Sequence, residues 1–595
     1  MNREEIISKI REIHGNDEEQ INFILSEEKK LLVTASAGCG KTKSMISKIA
    51  FELVNTPHMN FKKVLALTYS VNAATKIKED TAEILPLLLN SKDFDLNKKL
   101  EVSNYHSFST KLIYKHGYIL HDKLKNVENF SIVSETVSQL GTYLISSEID
   151  ILMGYSKAIN EVNIEEAHRL EDEYVNILLR KLIPNEIITY NGLLLLAIKL
   201  LSIKTINNFY IKYYPIIIID EFQDTNHLAY KLIRRLINNE NKVILIGDDI
   251  QKIYGFLGAI PNLFNHMQNE YNMTPIELKT NYRFKDNEKM KNLDLYLRGI
   301  FRNYKQMDSF DGKAEINLGF YKTDISEANA IVNNMFEKVS RGRKVALLVR
   351  TKNNAKNVII KLESEGIHYF NGLFSDADAT YIKFHRIALD KFINESGSEK
   401  SISKRVIDKV ITVVEQTKTS ITTDNILFNS LMRLLKALFE SAKNSNLSRE
   451  EKYNRIIFVL NNNSLKRLMN EIDADIVLTT IHGSKGLEWD YVYIPEITES
   501  QFPHYHALCK DCKSSHSGIQ SNNYCEFTFP SHLQEGFEEE LSLFYVGITR
   551  AKKDVFLFAN VDRNQNGYPK RRSCLTTLPN LAIIKPMAIL KSGVA

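Results

Sequence analysis

The sequence predicts an α/β protein of two doubly wound lobes, each interrupted by a mainly helical insertion. Two observations carry this. The first is a set of short runs rich in Ile, Val and Leu that do not alternate with polar residues: Leu31–Ser36, Val64–Tyr69, Ile216–Asp220, Val243–Gly247, Val345–Val349, Ile476–Thr480, Tyr491–Ile494 and Val555–Phe558. A parallel strand covered by helices on both faces reads this way. The second is the longer helix-period stretches between the runs, an alternation that builds parallel sheets. The runs form two groups, one in the first half and one resuming near Lys344. The stretches Tyr105–Thr205 and Asp390–Glu471 look helical, with a polar loop at Asn394–Lys404. The expected organisation is a first lobe of residues 1–104 and 206–282 around an insertion at 105–205. A second lobe of 283–389 and 472–595 surrounds a short insertion at 390–471.

Bulk properties narrow the class. A chain of 595 residues is too long for one core. Lys and Arg number 77 against 72 Asp and Glu, a net charge of +5 that permits local nucleic-acid patches without demanding them. The segment Met1–Arg11 lacks the apolar core of a signal peptide, and the apolar run Gly192–Ile203 is short and broken by Lys199. A cytoplasmic protein with no membrane partner is expected. Five cysteines in a chain of this size do not make a disulfide framework.

Ala35-Ser36-Ala37-Gly38-Cys39-Gly40-Lys41-Thr42 follows an apolar run and precedes a helical one. Small residues there let backbone N–H groups curl around phosphate oxygens, and the helix N-terminus points its dipole at the anion. This is a P-loop with Ala in the leading position. Lys41 would reach the β- and γ-phosphates and the Thr42 hydroxyl would bind Mg²⁺. Pro215-Ile-Ile-Ile-Ile-Asp220-Glu221-Phe-Gln-Asp224 puts two carboxylates at the end of a buried strand. Asp220 would hold Mg²⁺ and Glu221 would orient and deprotonate the attacking water. Alone, such carboxylates are as readily solvated turn residues; beside a P-loop they are a hydrolytic pair.

The remaining motifs are more specific. Asp220–Asp224 resembles the second helicase motif of the UvrD/PcrA/Rep branch of superfamily 1. Gly247-Asp-Asp-Ile-Gln-Lys-Ile-Tyr-Gly-Phe-Leu-Gly-Ala259 resembles the third, Leu278-Lys-Thr-Asn-Tyr-Arg283 the fourth, and Thr480-Ile-His-Gly-Ser-Lys-Gly-Leu-Glu488 the fifth. Glu538-Glu-Glu-Leu-Ser-Leu-Phe-Tyr-Val-Gly-Ile-Thr-Arg550-Ala551 resembles the sixth, and Asn16-Asp-Glu-Glu-Gln20 the Q motif. The resemblance covers nearly the whole chain in the family's order. It implies two RecA-like P-loop NTPase lobes, ATP and Mg²⁺ as cofactors, and a DNA-dependent ATPase or helicase. Gln20 would read adenine and Tyr282 stack on it. Gln251 would sense the γ-phosphate, and Arg283 and Arg550 would reach it from the second lobe. Glu488 would touch the ribose or metal region. ATP would then close the lobes and hydrolysis release them.

The same likeness implies strand contacts at Tyr69, His106 and Phe256, with Tyr69 and Phe256 stacking on bases, single-stranded or tailed duplex DNA as substrate, and 3′-to-5′ movement. Some positions depart from the family. Val71-Asn72 replaces an Asn-Lys pair, Ile250 an acid, Leu257 an arginine, and Trp489 stands where Phe is commoner. Between the fifth and sixth motifs, Cys509, Cys512, His516 and Cys525 have zinc-ligand spacing. A structural Zn²⁺ and a plain loop of reduced thiols both stay open.

The expected role is ATP-driven translocation in DNA repair or recombination. Two other readings stand beside it. The first is the helicase-like subunit of an anti-phage defence complex with a nuclease partner, since no nuclease pattern follows the sixth motif. The second is a DNA-binding module that ATP merely switches.

Overall fold

The computed structural model describes residues 3–56, 61–69, 71–89, 96–303, 310–375, 378–445, 448–499, 501–507, 531–563, 567 and 570–584. The chain divides into two units, Met1–Arg283 and Phe284–Ala595. The division falls one residue beyond the expected 282, so Arg283 belongs to the first unit and not to the second.

The strands of the first unit are β1 (Lys30–Ala35), β2 (Val64–Thr68), β3 (Leu100–Asn104), β4 (Ser131–Val133), β5 (Ile187–Thr189), β6 (Ile216–Asp220), β7 (Lys242–Gly247) and β8 (Thr274–Leu278). Six of them form one sheet in the order β3-β2-β6-β7-β1-β8, every neighbouring pair parallel. Alternate side chains of its central strands enter different cores. Leu32, Leu65, Leu67, Ile217, Ile219, Val243 and Leu245 face the layer that includes the inserted helices. Leu31, Val33, Val64, Ala66, Ile216, Ile218, Ile244 and Ile246 face the layer built on Met45, Ile46 and Ile49 of the helix Lys41–Asn55. Neither face meets water, which is why these strands carry no polar alternation. Each buried Ile or Leu contributes roughly 1.5–3 kcal/mol of transfer energy.

The chain between β3 and β6 is mostly helical, with β4 and β5 pairing parallel as a two-stranded ribbon. Its innermost helix, Tyr190–Leu201, is the apolar run Gly192–Leu201 set into the core. Thr189 caps that helix by accepting from the Gly192 N–H at 3.0 Å. A Cβ at Gly192 would lie 2.7 Å from the Thr189 hydroxyl and 2.9 Å from Leu178, so the cap needs glycine. Among the described residues no single helix is long and apolar enough to cross a membrane.

The second unit holds β9 (Ala314–Tyr321), β10 (Val345–Val349), β11 (Phe370–Asn371), β12 (Ile476–Thr480), β13 (Trp489–Ile494), β14 (Ala551–Asn560) and β15 (Leu581–Ile584). They form one parallel sheet in the order β11-β12-β10-β13-β14-β9-β15. Ile331 and Met335 of the helix Asp324–Val339 pack on Val345, Leu347, Leu478, Tyr493 and Phe556. Helices fill the chain between β11 and β12. The first of them, Ala379–Ser396, runs through Asn394, where a loop was expected, and stops at Gly397 (φ 61°).

A buried polar cluster ties the ends of β9, β13 and β14. Glu327 accepts from the Glu496 N–H at 2.9 Å and from the Asn560 side-chain amide. The Lys570 ammonium donates to Glu496 at 2.9 Å and to Asp324 at 2.7 Å. Burial, and then the neighbouring Glu496 carboxylate, push the Glu327 pKa above the ordinary carboxylate range. A carboxyl group raised in the folded state binds its proton there more tightly than in the unfolded chain. Stability therefore falls as pH rises from about 4.3, the unfolded value, through the folded one. Melting of the wild type between pH 5 and pH 8 is expected to show this fall, and Glu327→Gln to flatten it. Parallel curves for the two proteins would contradict the assignment.

Candidate active site

Because the first sheet is parallel, every loop that follows one of its strands emerges at one edge, where α/β folds bind ligands. The register sets Thr68 beside both Asn104 and Asp220, Thr34 beside Gly247, and Ala35 beside Leu278. The P-loop, the acidic segment after β6, the segment after β7, the strand-contact candidates after β2 and β3, and Leu278–Arg283 are thereby gathered.

The P-loop turns on two glycines in the left-handed region, Gly38 (φ 87°) and Gly40 (φ 73°). Gly40 sits at the N-cap of the helix Lys41–Asn55 with no side chain to cap it, which leaves the first amides of the helix facing the loop. Ser36 closes the turn by accepting from the Cys39 N–H at 3.2 Å. The segment Asn281–Arg283 clamps the loop from outside. The Asn281 amide donates to the Ala37 carbonyl at 3.0 Å, its oxygen accepts from the Arg283 N–H at 3.1 Å, and the Tyr282 N–H donates to the Gly38 carbonyl at 2.9 Å. Asn281 lies inside the fourth motif, yet nothing in the sequence separated its structural amide from its neighbours.

The acidic pair takes up a strained turn. Asp220 is buried at the end of β6, and Glu221 adopts φ 52°, a left-handed conformation that costs a non-glycine residue about 1–3 kcal/mol. Its carboxylate lies 3.4 Å from the Lys41 ammonium and accepts from the Gln223 amide at 2.5 Å. Gln223 in turn accepts from the Asp248 N–H at 3.0 Å, and the Gln251 amide donates to the Asp248 carboxylate at 2.6 Å. Lys41, Glu221 and Gln251 are therefore joined through Gln223 and Asp248. Asp220 and Thr42 offer hard oxygen donors, the set that suits Mg²⁺.

Gln20, which the resemblance casts as the reader of adenine, is turned into the protein. It is 3% exposed, its Nε2 donates to the Cys39 carbonyl at 3.0 Å, and its Oε1 meets His14 Nδ1. Both ends of the amide are engaged inside the protein. Tyr282 is 42% exposed and donates its hydroxyl to Asp17 at 2.5 Å, leaving ring surface open for stacking.

Toward the strand side, Tyr69 stacks on Tyr254 with ring centroids 5.5 Å apart, and His106 meets Tyr190 edge-on at 5.7 Å. Tyr254 was within the third motif but was not singled out. The backbone at Phe256 lies in the turn Gly255–Leu257, which Gly258 ends at φ 80°. A Cβ at Gly258 would strike the Ile159 carbonyl of the inserted helix Ser146–Asn160. Ile250 is buried, so the family's acid is replaced by a core side chain.

In the second unit Arg550 is 3% exposed, with its guanidinium turned onto the carbonyls of Val546 at 3.1 Å and Leu487 at 3.4 Å. Glu488 pairs with Lys552 at 2.6 Å. Trp489 heads β13, where its N–H donates to the Arg550 carbonyl at 3.0 Å. Arg350, just past β10, forms a two-pronged ion pair with buried Glu540, a pair the motif wording did not reveal. Cys509, Cys512, His516 and Cys525 lie outside the described residues. Among the described residues no group of three or more His, Cys, Asp or Glu is arranged to hold a metal ion.

Comparison with known proteins finds relatives along most of the chain. Residues 16–146 and 153–272 match the UvrD/REP helicase N-terminal domain, and residues 380–561 match the UvrD-like helicase C-terminal domain. The chain is 23% identical to the ATP-dependent DNA helicase Rep of Buchnera aphidicola subsp. Baizongia pistaciae, over 90% of each chain. It is 24% identical to the Rep helicase of Buchnera aphidicola subsp. Schizaphis graminum, covering 90% of this chain and 92% of that one. It is 22% identical to the ATP-dependent DNA helicase PcrA of Bacillus subtilis strain 168, covering 92% of this chain and 82% of the relative.

Gly38 supplies a direct test of the cradle. A Cβ there would lie 2.5 Å from Asn281 Oδ1 and 2.6 Å from Arg283 Cβ, at a φ that L-residues rarely adopt. Gly38→Ala is expected to cost about 1–3 kcal/mol of stability and to abolish the thermal stabilisation that ATP gives the wild type. Calorimetric melting with and without ATP would show both effects, and an unchanged ATP response would refute the clamp.

Proposed function

From the membership of this chain in the UvrD/Rep helicase family, we propose that it is a DNA-dependent ATPase that moves 3′ to 5′ along single-stranded DNA. The observation that supports the reading best is the continuity of the site. Lys41, Glu221, Gln223, Asp248 and Gln251 are linked by hydrogen bonds, and the same edge carries Tyr69, Tyr254 and His106. A change at the phosphate end has a bonded path toward the loop that ends in the aromatic pair.

The roles follow from the chemistry. The P-loop amides and Lys41 hold the triphosphate, while Thr42 and Asp220 hold Mg²⁺. Glu221 takes the proton of the attacking water; its bond from Gln223 and its pairing with Lys41 aim the carboxylate. Gln251 and Arg283 serve the γ-phosphate, the guanidinium matching its charge and geometry. Tyr282 stacks on the base. Tyr69 and Tyr254 offer rings to the strand, with Phe256 and His106 beside them in sequence motifs of the same kind. A module that ATP only switches has no use for Glu221 and Gln251 together, so hydrolysis is the better reading. Work in repair or recombination, in the cytoplasm, is proposed on family likeness alone.

Steady-state ATP hydrolysis with and without single-stranded DNA tests the proposal, with Lys41→Ala as the blank. Strong stimulation by DNA is expected, and a rate indifferent to DNA would refute it. Glu221→Gln is expected to keep ATP binding while lowering kcat by roughly 10²–10⁴-fold. Tyr254→Ala is expected to weaken single-strand binding by about 1–3 kcal/mol in a fluorescence titration, with ATP affinity unchanged; equal loss of both would argue for a purely structural ring.

A further inference from the structure

His14 lies outside every motif, yet it is buried and bonded at both ring nitrogens. The helix Arg3–Ile13 ends just before it, and Gly15 (φ 58°) and Asn16 (φ 60°) reverse the chain. Asp17 then caps the helix Glu18–Leu25, accepting from the Gln20 N–H at 3.1 Å. This reversal brings the His14 ring against the Gln20 side chain. His14 Nδ1 meets Gln20 Oε1, and His14 Nε2 lies 2.8 Å from the Ser47 hydroxyl. Gln20 Nε2 reaches the Cys39 carbonyl at 3.0 Å. His14, Gln20 and Ser47 are all buried.

The chain of bonds has one consistent direction. The Cys39 carbonyl can only accept, so the Gln20 NH₂ group must point to it and the amide oxygen must point to His14. Nδ1 then carries the hydrogen, and Nε2 accepts from Ser47. A flipped amide would set two oxygens against each other at Cys39, whichever tautomer His14 adopts. Burial lowers the His14 pKa, as does the Lys43 charge, which favours this neutral ring. The chain joins the P-loop at Cys39 to the helix behind it at Ser47. At Gly40 a Cβ would lie 2.8 Å from the Gln20 amide nitrogen, so the amide rests directly against the loop.

We propose that His14 is a positioning residue that holds Gln20 in one orientation under the P-loop, and thereby sets how tightly the loop grips a nucleoside triphosphate of either purine. The proposal rests on the reading of residues 35–42 as a triphosphate cradle. Because the contact is to the loop backbone and not to the base, its loss weakens ATP and GTP alike.

The test uses the full chain with His14→Ala, His14→Asn and Ser47→Ala. Kd is read with fluorescent ATP and GTP, and KM and kcat with ATP and single-stranded DNA. His14→Ala is expected to raise both Kd values and the KM about tenfold, the factor matching one lost buried hydrogen bond, with kcat within about twofold. His14→Asn, whose amide nitrogen can donate in place of Nδ1, is expected to restore most of the affinity. Should His14→Ala fail to fold, Ser47→Ala carries the test with an expected rise of about threefold. Unchanged Kd values would overturn the proposal while leaving the ATPase reading intact, and so would a loss confined to ATP, which would assign Gln20 to the adenine. A wild type that binds neither nucleotide would overturn both.

Discussion

Parallelism is the constraint on which the first unit depends. A sheet covered on both faces has no exposed surface for chemistry, so reactive groups can appear only where strands end. Six strands running one way put six such ends together, and the register then fixes which residues are neighbours. Ala35, Asp220 and Gly247 owe their proximity to hydrogen bonds of the ladder, not to contacts between their side chains. The strain that follows each strand is local. Gly38, Gly40 and Glu221 all turn through the left-handed region within a few residues of a strand end. The stiff sheet beneath them is what can sustain these conformations.

The central strands were legible because burial on both faces removes polar residues from them. The strands that the sequence did not reveal are short, lie at sheet edges or alternate with polar residues. β3 (Leu-Glu-Val-Ser-Asn) and β8 (Thr-Pro-Ile-Glu-Leu) are the two outer strands of their sheet, and β8 tolerates Pro275 for that reason. β9 alternates as Ala-Glu-Ile-Asn, and β11 and β15 are again outermost. Motif wording located the phosphate and acidic residues. It could not say which amide in Leu278–Arg283 clamps the loop, or that Gln20 faces inward. Those outcomes depend on partners far away in sequence, such as Ala37 for Asn281 and His14 for Gln20.

The departures from the family pattern have local explanations where the structure reaches them. Ile250 stands in place of an acid because its side chain is in the core, and Trp489 is buried at the head of β13. Ile250 changes packing beneath the edge of the first sheet, while the bonded path from Glu221 to Gln251 is unbroken. The aromatic pair Tyr69–Tyr254 differs in kind. The two rings already satisfy one another, so a DNA base that stacks on one of them competes with an existing contact.

The order of the strands also sets a schedule for synthesis. In the first sheet β1 lies between β7 and β8, so its backbone groups find no partner until residue 247 has been made and are fully paired only after residue 278. In the second, β14 sits between β13 and β9, and the sheet has a gap at its middle until residue 560 emerges. Neither half can fold by adding strands as they leave the ribosome. Each must hold unpaired, strongly apolar segments in waiting, a burden of long-range pairing that slows folding and exposes aggregation-prone surface. A nascent chain truncated anywhere within 551–560 would lose an interior strand of the sheet and not a tail.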